Sequence, residues 1–326
     1  MDNEDLKMQH GGDIELAIKK YGGAKENWID LSTGINGASY PWQQNIKVEL
    51  RNLPSNKLLV NLEQAASTAY KVAENTETAA VSGAQQIINL LPLCLKSCNS
   101  VAILGPTYNE YEKAFKNSGI KTQTVSEVSE LSSSDIAIIV NPNNPTGKVI
   151  ADETLSELSK KVRILIIDES FKMFSTRRTQ KFNNIIQINS LGKFFGLAGV
   201  RLGFVSGPSD FIKTVKAILG PWPVSTLAAE IGIVALNDKV WISEMEKILV
   251  TESNTLHEAC SSKNWELIGK TSLFHTYATS SCLEVEKQFA AHGIWIRTFD
   301  YSQTWVRLGI PTSENEWTRV KLALNQ

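Results

Sequence analysis

The chain has 326 residues, of which 42% are hydrophobic and 21% charged, and its formal net charge is -1. This composition is typical of a soluble globular protein, and near-neutral charge without a long basic run argues against nucleic acid or a membrane surface as partner. The acidic start MDNEDLKMQH is unlike a secretory signal, and no apolar run approaches the roughly 18 residues of a transmembrane helix. We therefore expect a cytoplasmic protein. The four histidines show no metal-ligand spacing, so no metal site is expected.

The first 40 residues predict an arm rather than a domain. They contain a helix candidate after a glycine pair, in HGGDIELAIKKYGG, and a short strand and turn in WIDLSTGIN. Helical spacing of apolar residues follows at 46–53 and 58–73. A short strand then ends in Ser82-Gly83-Ala84, where an amphipathic helix starts. Backbone N–H groups at a helix N-terminus can bind phosphate, although this segment alone could equally be a plain strand-to-helix turn.

Strands and helices alternate from residue 100 onward, and the apolar runs AIIV and ILIID are continuous. Such runs indicate a mainly parallel sheet that is covered on both faces. Ligands of these sheets bind beyond the carboxyl ends of the strands. Five residues with polar side chains lie at or soon after predicted strand ends, so we expect them to meet in one crevice: Ser82, Tyr108, Asn144, Asp168 and Lys193.

The C-terminal part predicts a smaller α+β domain. Residues 211–236 are helical in pattern with an interruption at GPWPVS, and 240–262 form a long amphipathic helix. Short strands follow in WELIG, SLFHTYAT, GIWIRTF and TWVRLGI, and one further helix lies among them, around 286–292. We therefore assign an arm at 1–40, a large domain at 41–215 and a small domain at 216–326.

The segment IIQINSLGKFFGLAGVRLGF carries the strongest chemical signal. A lone lysine is usually a surface charge, but Lys193 follows a strand-like run and lies between Ser190 and Arg201. The hydroxyl and the guanidinium could bind one phosphate while the amine bonds to a carbonyl carbon. Upstream, the strand in RILIIDESF ends in Asp168, a carboxylate that could keep a pyridine nitrogen protonated. These are the groups that a pyridoxal 5'-phosphate (PLP) site requires.

Three motifs in the same order, NPNNPTGKV, the Asp168 strand and SLGKFFGLAGVRLGF, resemble the fold type I PLP enzymes related to class I/II aminotransferases. The resemblance implies a PLP-dependent transferase-like α/β fold. It implies that Lys193 bonds to PLP and transfers protons, that Asp168 pairs with the pyridine nitrogen, and that Asn144 binds the ring hydroxyl oxygen and contacts substrate. Tyr108 would stack on the ring, unless it is a packed aromatic. The phosphate would be bound by Gly83, Ala84, Ser190 and Arg201.

A narrower resemblance comes from Phe171 and from the ends of the chain. Many relatives have tyrosine three residues after the aspartate, which is typical of histidinol-phosphate aminotransferases, whereas Phe171 in DESF resembles the threonine-phosphate decarboxylases of corrinoid (cobalamin) biosynthesis. The segments HGGDIELA, WIDLSTGIN and GPWPVSTLAAEIGIVALND resemble the same decarboxylases.

The substrate implied by this narrower resemblance, O-phospho-L-threonine, carries a carboxylate and a phosphate. By the resemblance, Arg307 binds the carboxylate, and Arg297 with His10 and Gly11 binds the phosphate. Gly34 stands where relatives have a substrate-binding asparagine, so any contact there is with backbone. A homodimer is also implied, although a Leu-Pro-Ser turn at 53–55 replaces the Tyr-Pro-Asp turn that contacts the neighbouring subunit's cofactor.

Two other functions remain open at this stage. An aminotransferase for a phosphorylated substrate such as histidinol phosphate would use every one of the same cofactor residues. A non-catalytic PLP-binding module would keep them too. Ordinary structural roles also remain open for Arg297 and His10.

Overall fold

A computed structural model describes residues 10–44, 46, 49–174 and 184–325. The chain divides into two compact units. One comprises Tyr40–Ser243, and the other combines the segment that ends at Ser39 with the segment that begins at Glu244.

The elements within the described residues alternate as expected. The helices are α1 (Ile14–Tyr21), α2 (Asn56–Ala69), α3 (Ala84–Cys94), α4 (Glu110–Asn117), α5 (Asp152–Ser159), α6 (Ser209–Leu219), α7 (Thr226–Asn237), α8 (Lys239–Ser261), α9 (Cys282–Ala290) and α10 (Glu314–Leu324). The strands are β1 (Ile29–Asp30), β2 (Glu77–Val81), β3 (Ser100–Leu104), β4 (Lys121–Val125), β5 (Ile136–Val140), β6 (Ile164–Asp168), β7 (Ile185–Ser190), β8 (Gly203–Gly207), β9 (Glu266–Lys270), β10 (Phe274–Ala278), β11 (Ile294–Trp295), β12 (Arg297–Phe299) and β13 (Ser302–Gly309).

The unit Tyr40–Ser243 is built on a seven-stranded sheet of order β2-β8-β7-β6-β5-β3-β4. All neighbours pair in parallel except β8, which is antiparallel to both β2 and β7. Six strands therefore run in one direction, as the continuous apolar runs predict. The prediction of a mainly parallel central sheet is confirmed.

Both faces of this sheet are buried, and β5 shows why its sequence is apolar throughout. Ile136 and Ile138 pack into the core on one face, whereas Ala137 and Ile139 pack into the core on the other. Side chains alternate between faces along a strand, so a strand covered on both sides favours apolar residues at every position. In β6 the one polar residue, Asp168, accordingly ends the strand.

The second unit contains a four-stranded antiparallel sheet of order β12-β13-β10-β9 and a two-stranded parallel pair of β1 with β11. Ile29 and Leu31 of the N-terminal segment lie in the same apolar core as Phe289 and Val306. The N-terminal segment is thus part of this unit, since Ile29 and Leu31 join its core and Ala17 packs with Trp295 in a second cluster.

The compact unit that holds the large sheet extends past residue 215, the boundary that we expected from sequence. Ile212 and Val215 of α6 lie in the core of the sheet. Gly232 of α7 lies so close to Leu62 of α2 that a Cβ at this glycine would lie 2.7 Å from that side chain. The apolar faces of α6 and α7 therefore belong to the large unit, and the division falls within α8.

The helix predicted over 46–53 is wrong for residues 49–53, which form a turn and irregular structure. Positions 45, 47 and 48 lie outside the described residues. Pro54 restricts the residue before it to extended backbone, which prevents a helix from continuing into α2. Ser55 then caps α2, because its Oγ accepts a hydrogen bond of 3.1 Å from the Leu58 N–H.

Candidate active site

The predicted cofactor residues of Tyr40–Ser243 meet at one edge of the sheet. The strands β2, β3, β5, β6 and β7 all end at this edge, and β8 begins there. Seven of these residues end a strand or follow within a few positions, and the eighth comes just before β8: Gly83, Ala84, Tyr108, Asn144, Asp168, Ser190, Lys193 and Arg201. This topology thus brings together residues that are more than a hundred positions apart in sequence.

Two glycines allow a close approach at the start of α3. Gly83 has φ +80°, and a Cβ on it would lie 2.6 Å from Nη2 of Arg201. Gly203 pairs with Ser190 across the sheet, and its own Cβ would lie 2.8 Å from the backbone nitrogen of Ala84. The Arg201 guanidinium therefore lies against the N-terminus of α3, and Gly203, the strand partner of Ser190, adjoins the same helix start.

Arg201 has an uncommon backbone conformation. Its φ is +57°, a left-handed backbone that non-glycine residues adopt at a cost of about 1–3 kcal/mol. The side chain is exposed, and Nη1 donates a hydrogen bond of 3.2 Å to the Ala198 carbonyl. Its Nη2 lies nearest to Gly83 at the N-terminus of α3, where the helix dipole and backbone N–H groups also attract an anion.

Asp168 ends β6 and is 4% exposed. Burial raises the pKa of this carboxyl group, while hydrogen bonds from Ser170 and Tyr111 act in the opposite direction and lower it. The Tyr111 phenol donates to Oδ2 over 2.8 Å, and the Ser170 N–H donates to Oδ1 over 2.9 Å. A carboxylate held in this way is suited to pair with a protonated ring nitrogen. Tyr111 was not predicted as a site residue, because in sequence it is one apolar position of an amphipathic helix.

Lys193 lies just beyond β7 and is half-buried. Its Nζ lies 5.1 Å from the centroid of the buried Phe171 ring, within cation–π range. The residue that distinguishes this sequence from many relatives is thus in contact with the amine that we expect to react.

Two side chains that were not predicted from sequence position the loops after β3 and β5. Gln85 accepts a hydrogen bond of 2.8 Å from the Tyr108 phenol, which fixes the ring at its outer end. Asn143 accepts a hydrogen bond of 2.6 Å from Thr107, so the two loops are joined beside Tyr108 and Asn144. These contacts link residues at least 23 positions apart, and no local pattern predicts them.

In the second unit, Arg297 of β12 and Arg307 of β13 are directly opposed partners in an antiparallel pair. Side chains of such partners lie on the same sheet face, and like charges there repel each other. Burial, and after it the Arg297 charge, lower the pKa of Arg307 to about 9. Two cations kept together on one face form a site that an anionic ligand would stabilise.

The N-terminal segment contacts the same arginine through Ser32. The Gly12 N–H donates to Ser32 Oγ over 2.9 Å, and a Cβ on Gly11 would lie 2.5 Å from the Ser32 carbonyl oxygen. That carbonyl accepts a hydrogen bond from Nη2 of Arg307. The structure therefore brings Gly11, with the exposed His10 beside it, to Arg307, and Ser32 is the connecting residue that was not predicted.

Two positions depart from the pattern of relatives. Gly34 is buried and has φ +61°, a backbone conformation in which a side chain is strained, so its backbone is the group it can offer. Leu53, in the turn before α2, is 65% exposed.

The residues at the sheet edge fit PLP. The region between Gly83 and Arg201 is suited to its phosphate, the Asp168 carboxylate to its pyridine nitrogen, and the Lys193 amine to its aldehyde carbon. Fold and site together define an α/β enzyme of the PLP-dependent transferase-like class.

The chain belongs to the aminotransferase class I and II family, whose model matches residues 26–323. It is similar to the threonine-phosphate decarboxylase of Sinorhizobium sp., with 31% identity over 92% of each chain. The threonine-phosphate decarboxylase of Pseudomonas aeruginosa is 30% identical over 97% of each chain. The resemblance to these decarboxylases that the motifs indicated is confirmed.

Among solved structures, the histidinol-phosphate aminotransferase of Sinorhizobium meliloti in complex with pyridoxal-5'-phosphate aligns with a TM-score of 0.80 at 15% identity. The alignment covers 98% of this chain and 95% of that one. The predicted fold class and the predicted cofactor, PLP, are confirmed, and the chain is a PLP-dependent enzyme. Across the described ranges, no helix is long and apolar enough to cross a membrane. Those ranges also contain no group of three or more His, Cys, Asp or Glu side chains placed to bind a metal ion.

Proposed function

We propose that this enzyme decarboxylates L-threonine O-3-phosphate to (R)-1-aminopropan-2-yl phosphate, a step of cobalamin biosynthesis. The observation that carries the proposal is the direct opposition of Arg297 and Arg307, which suits a substrate with two anionic groups. Similarity to two threonine-phosphate decarboxylases over at least nine-tenths of the chain supports it.

The substrate's anionic groups are divided between the two arginines in this proposal. Arg307, 5% exposed and braced by the Ser32 carbonyl, binds the carboxylate, since a buried guanidinium offers bidentate donors in a fixed direction. Arg297, with His10 and Gly11, binds the phosphate. Asn144 contacts the substrate beside the ring, and Gly34 contributes backbone only.

The cofactor residues take the roles that their geometry suits. Gly83, Ala84, Ser190 and Arg201 bind the PLP phosphate, Tyr108 stacks on the ring, and Asn144 binds its hydroxyl oxygen. When bound, PLP supplies an electron sink for the electron pair left on the substrate Cα. The Asp168 carboxylate keeps the ring nitrogen protonated, which strengthens that sink, and the Lys193 amine returns a proton to Cα. The orientation imposed by Arg297 and Arg307 decides which bond at Cα breaks.

An aminotransferase acting on a phosphorylated substrate such as histidinol phosphate is the alternative, because it would use the same cofactor residues. Phe171 and the HGG segment favour the decarboxylase, because both resemble the threonine-phosphate decarboxylases and histidinol-phosphate aminotransferases typically have tyrosine in place of this phenylalanine.

The test is to incubate the PLP-loaded protein with O-phospho-L-threonine and to quantify carbon dioxide and the phosphorylated amine. A parallel reaction contains histidinol phosphate and 2-oxoglutarate, and a Lys193→Ala variant serves as the control for both. Carbon dioxide and aminopropanol phosphate in equal amounts would support the decarboxylase. Glutamate without carbon dioxide would establish the aminotransferase instead. The absence of both products would favour a binding module.

We also propose that the enzyme is a cytoplasmic homodimer. The family resemblance supports the dimer, although the turn at Leu53 lacks the tyrosine by which relatives contact the neighbouring subunit's cofactor. Light scattering of the PLP-loaded protein measures its mass, and a mass near 36 kDa, that of one chain, would contradict the dimer.

A further inference from the structure

One buried carboxylate joins three elements of the second unit. Glu286 of α9 is 1% exposed. Its Oε1 accepts a hydrogen bond of 2.6 Å from the Tyr21 phenol and also pairs with Lys20 Nζ, both at the end of α1. Its Oε2 accepts a hydrogen bond of 3.0 Å from Thr298 of β12. The N-terminal helix and β12 are therefore both attached to the same side chain.

The surroundings of Glu286 indicate that its carboxylate holds neighbouring elements in place. Its neighbours on α9, Val285 and Phe289, lie in the apolar core, and a carboxylate there is costly unless every oxygen is satisfied. Burial first, and the neighbouring Glu286 second, raise the pKa of Tyr21, so its phenol stays protonated and remains a donor. One cation and two hydroxyl groups satisfy this carboxylate, and all three come from α1 or β12.

The residues proposed to bind the substrate phosphate lie in β12 or shortly before α1. His10 and Gly11 precede the N-cap of α1, Asp13, and the Gly12 N–H donates a hydrogen bond to Ser32. The segment from Gly12 to Tyr21 is thus held at one end by Ser32 and at the other by Glu286. On the other side, Thr298 directly follows Arg297 in β12.

We propose that Glu286 is a positioning residue that sets His10 and Arg297 relative to each other, so that both reach one phosphate group. This role rests on the proposed function, in which these residues bind the substrate phosphate. Glu286 itself contacts no substrate. Its loss should weaken binding of the phosphorylated substrate and leave binding of the unphosphorylated amino acid unchanged.

The test compares Glu286→Gln and Tyr21→Phe with wild type, and Glu284→Gln is the matched control. Glu284 lies on the same helix but is exposed and pairs with Lys287 within the helix. Dissociation constants of O-phospho-L-threonine and L-threonine are measured from the absorption change of the PLP-loaded protein. We expect the affinity for O-phospho-L-threonine to fall about tenfold in Glu286→Gln and about threefold in Tyr21→Phe. L-threonine should bind both variants as it binds wild type. Hydrogen exchange of residues 10–21 should rise in both.

Equal losses for both ligands, or unchanged exchange of residues 10–21, would overturn the positioning role. If Glu286→Gln does not fold, Tyr21→Phe decides alone, because it removes one hydrogen bond and keeps the charge pair. A wild-type protein that binds phosphorylated and unphosphorylated threonine equally would overturn the proposed function instead. The exchange measurement would then still decide whether Glu286 fixes the segment.

Discussion

The Tyr111 phenol donates a hydrogen bond of 2.8 Å to Oδ2 of Asp168, and both side chains are buried. Burial raises the pKa of Asp168, and this hydrogen bond is one of the contacts that lower it. It also raises the pKa of Tyr111, after burial and the Asp168 charge, so the phenol remains a donor. Tyr111 therefore favours the ionised carboxylate that a pyridine nitrogen requires, although it lies on α4 and not at a strand end.

Tyr111→Phe should weaken PLP binding at its acidic limit. Without the phenol, the pKa of Asp168 rises further, so the carboxylate becomes protonated at higher pH and its pairing with the ring nitrogen is lost there. We expect about a tenfold loss of PLP affinity near pH 6. The pH at which PLP affinity begins to fall on acidification should be higher than in wild type. Absorption titrations of the apoprotein with PLP at several pH values measure this. Tyr108→Phe, which removes the phenol bound to Gln85 and leaves the Tyr111–Asp168 hydrogen bond in place, is the control. PLP binding by Tyr111→Phe that weakens at the same pH as in wild type would contradict the role.

Gly203→Ala should prevent PLP phosphate from binding. The added Cβ would lie 2.8 Å from the Ala84 nitrogen and 3.0 Å from the Gly83 carbonyl carbon, and both are backbone atoms that cannot rotate away. The start of α3 must shift, so PLP affinity should fall by at least about tenfold. Gly119→Ala is the control, because Gly119 has φ +74° but a Cβ added there would have no atom within 4 Å. It should cost about 1 kcal/mol in stability and leave PLP affinity unchanged. Equal PLP affinities for the two variants would refute the steric argument.

The sequence predicts much of this enzyme because its signals are local. The strand-end residues Asp168 and Lys193 could be placed together from the alternation of strands and helices alone, since parallel strands end at one edge. The bounds of α7 also agree closely, because the GPWPVS interruption before it and the apolar spacing mark it.

Other residues could not be predicted because their roles depend on contacts that are distant in sequence. Tyr111 meets Asp168 across 57 positions, and Glu286 meets Tyr21 across 265. In sequence, each is only one residue of an amphipathic helix. For a similar reason the extent of the compact unit past residue 215 is not evident from sequence, since α6 and α7 are identified as part of it only by the core that they bury.

Arg307→Lys keeps the positive charge but should still lower catalytic efficiency with O-phospho-L-threonine. The guanidinium donates to the Ser32 carbonyl and can still offer a second nitrogen to a carboxylate, whereas an ammonium cannot keep that geometry. We expect kcat/KM to fall about 10- to 100-fold, mainly through KM. Steady-state assays measure this, with PLP affinity as the control. Wild-type kcat/KM in Arg307→Lys would show that Arg307 acts only as a positive charge.

His275 should make the second unit less stable as the pH falls below neutrality. Its ring is fully buried, with Nε2 2.7 Å from Ser253 Oγ and Nδ1 3.1 Å from Tyr277 Oη. Burial, and after it the charges of Lys270 and His257, lower the pKa of His275 from 6.5 to about 3. The unfolded chain therefore takes up a proton below pH 6.5 that the folded chain does not bind until about pH 3. Stability contributed by the neutral ring is thus complete above pH 6.5 and is lost towards pH 3.

His275→Asn should remove this pH dependence. Between pH 7 and pH 5, wild type should lose about 2 kcal/mol more of its free energy of unfolding than the variant does, since one proton corresponds to about 1.4 kcal/mol per pH unit. Urea unfolding at pH 5, 6 and 7 measures the difference, and His10→Asn, at an exposed position, should keep the wild-type slope. The same slope in all three proteins would mean that the folded His275 ring binds its proton as readily as the unfolded one does.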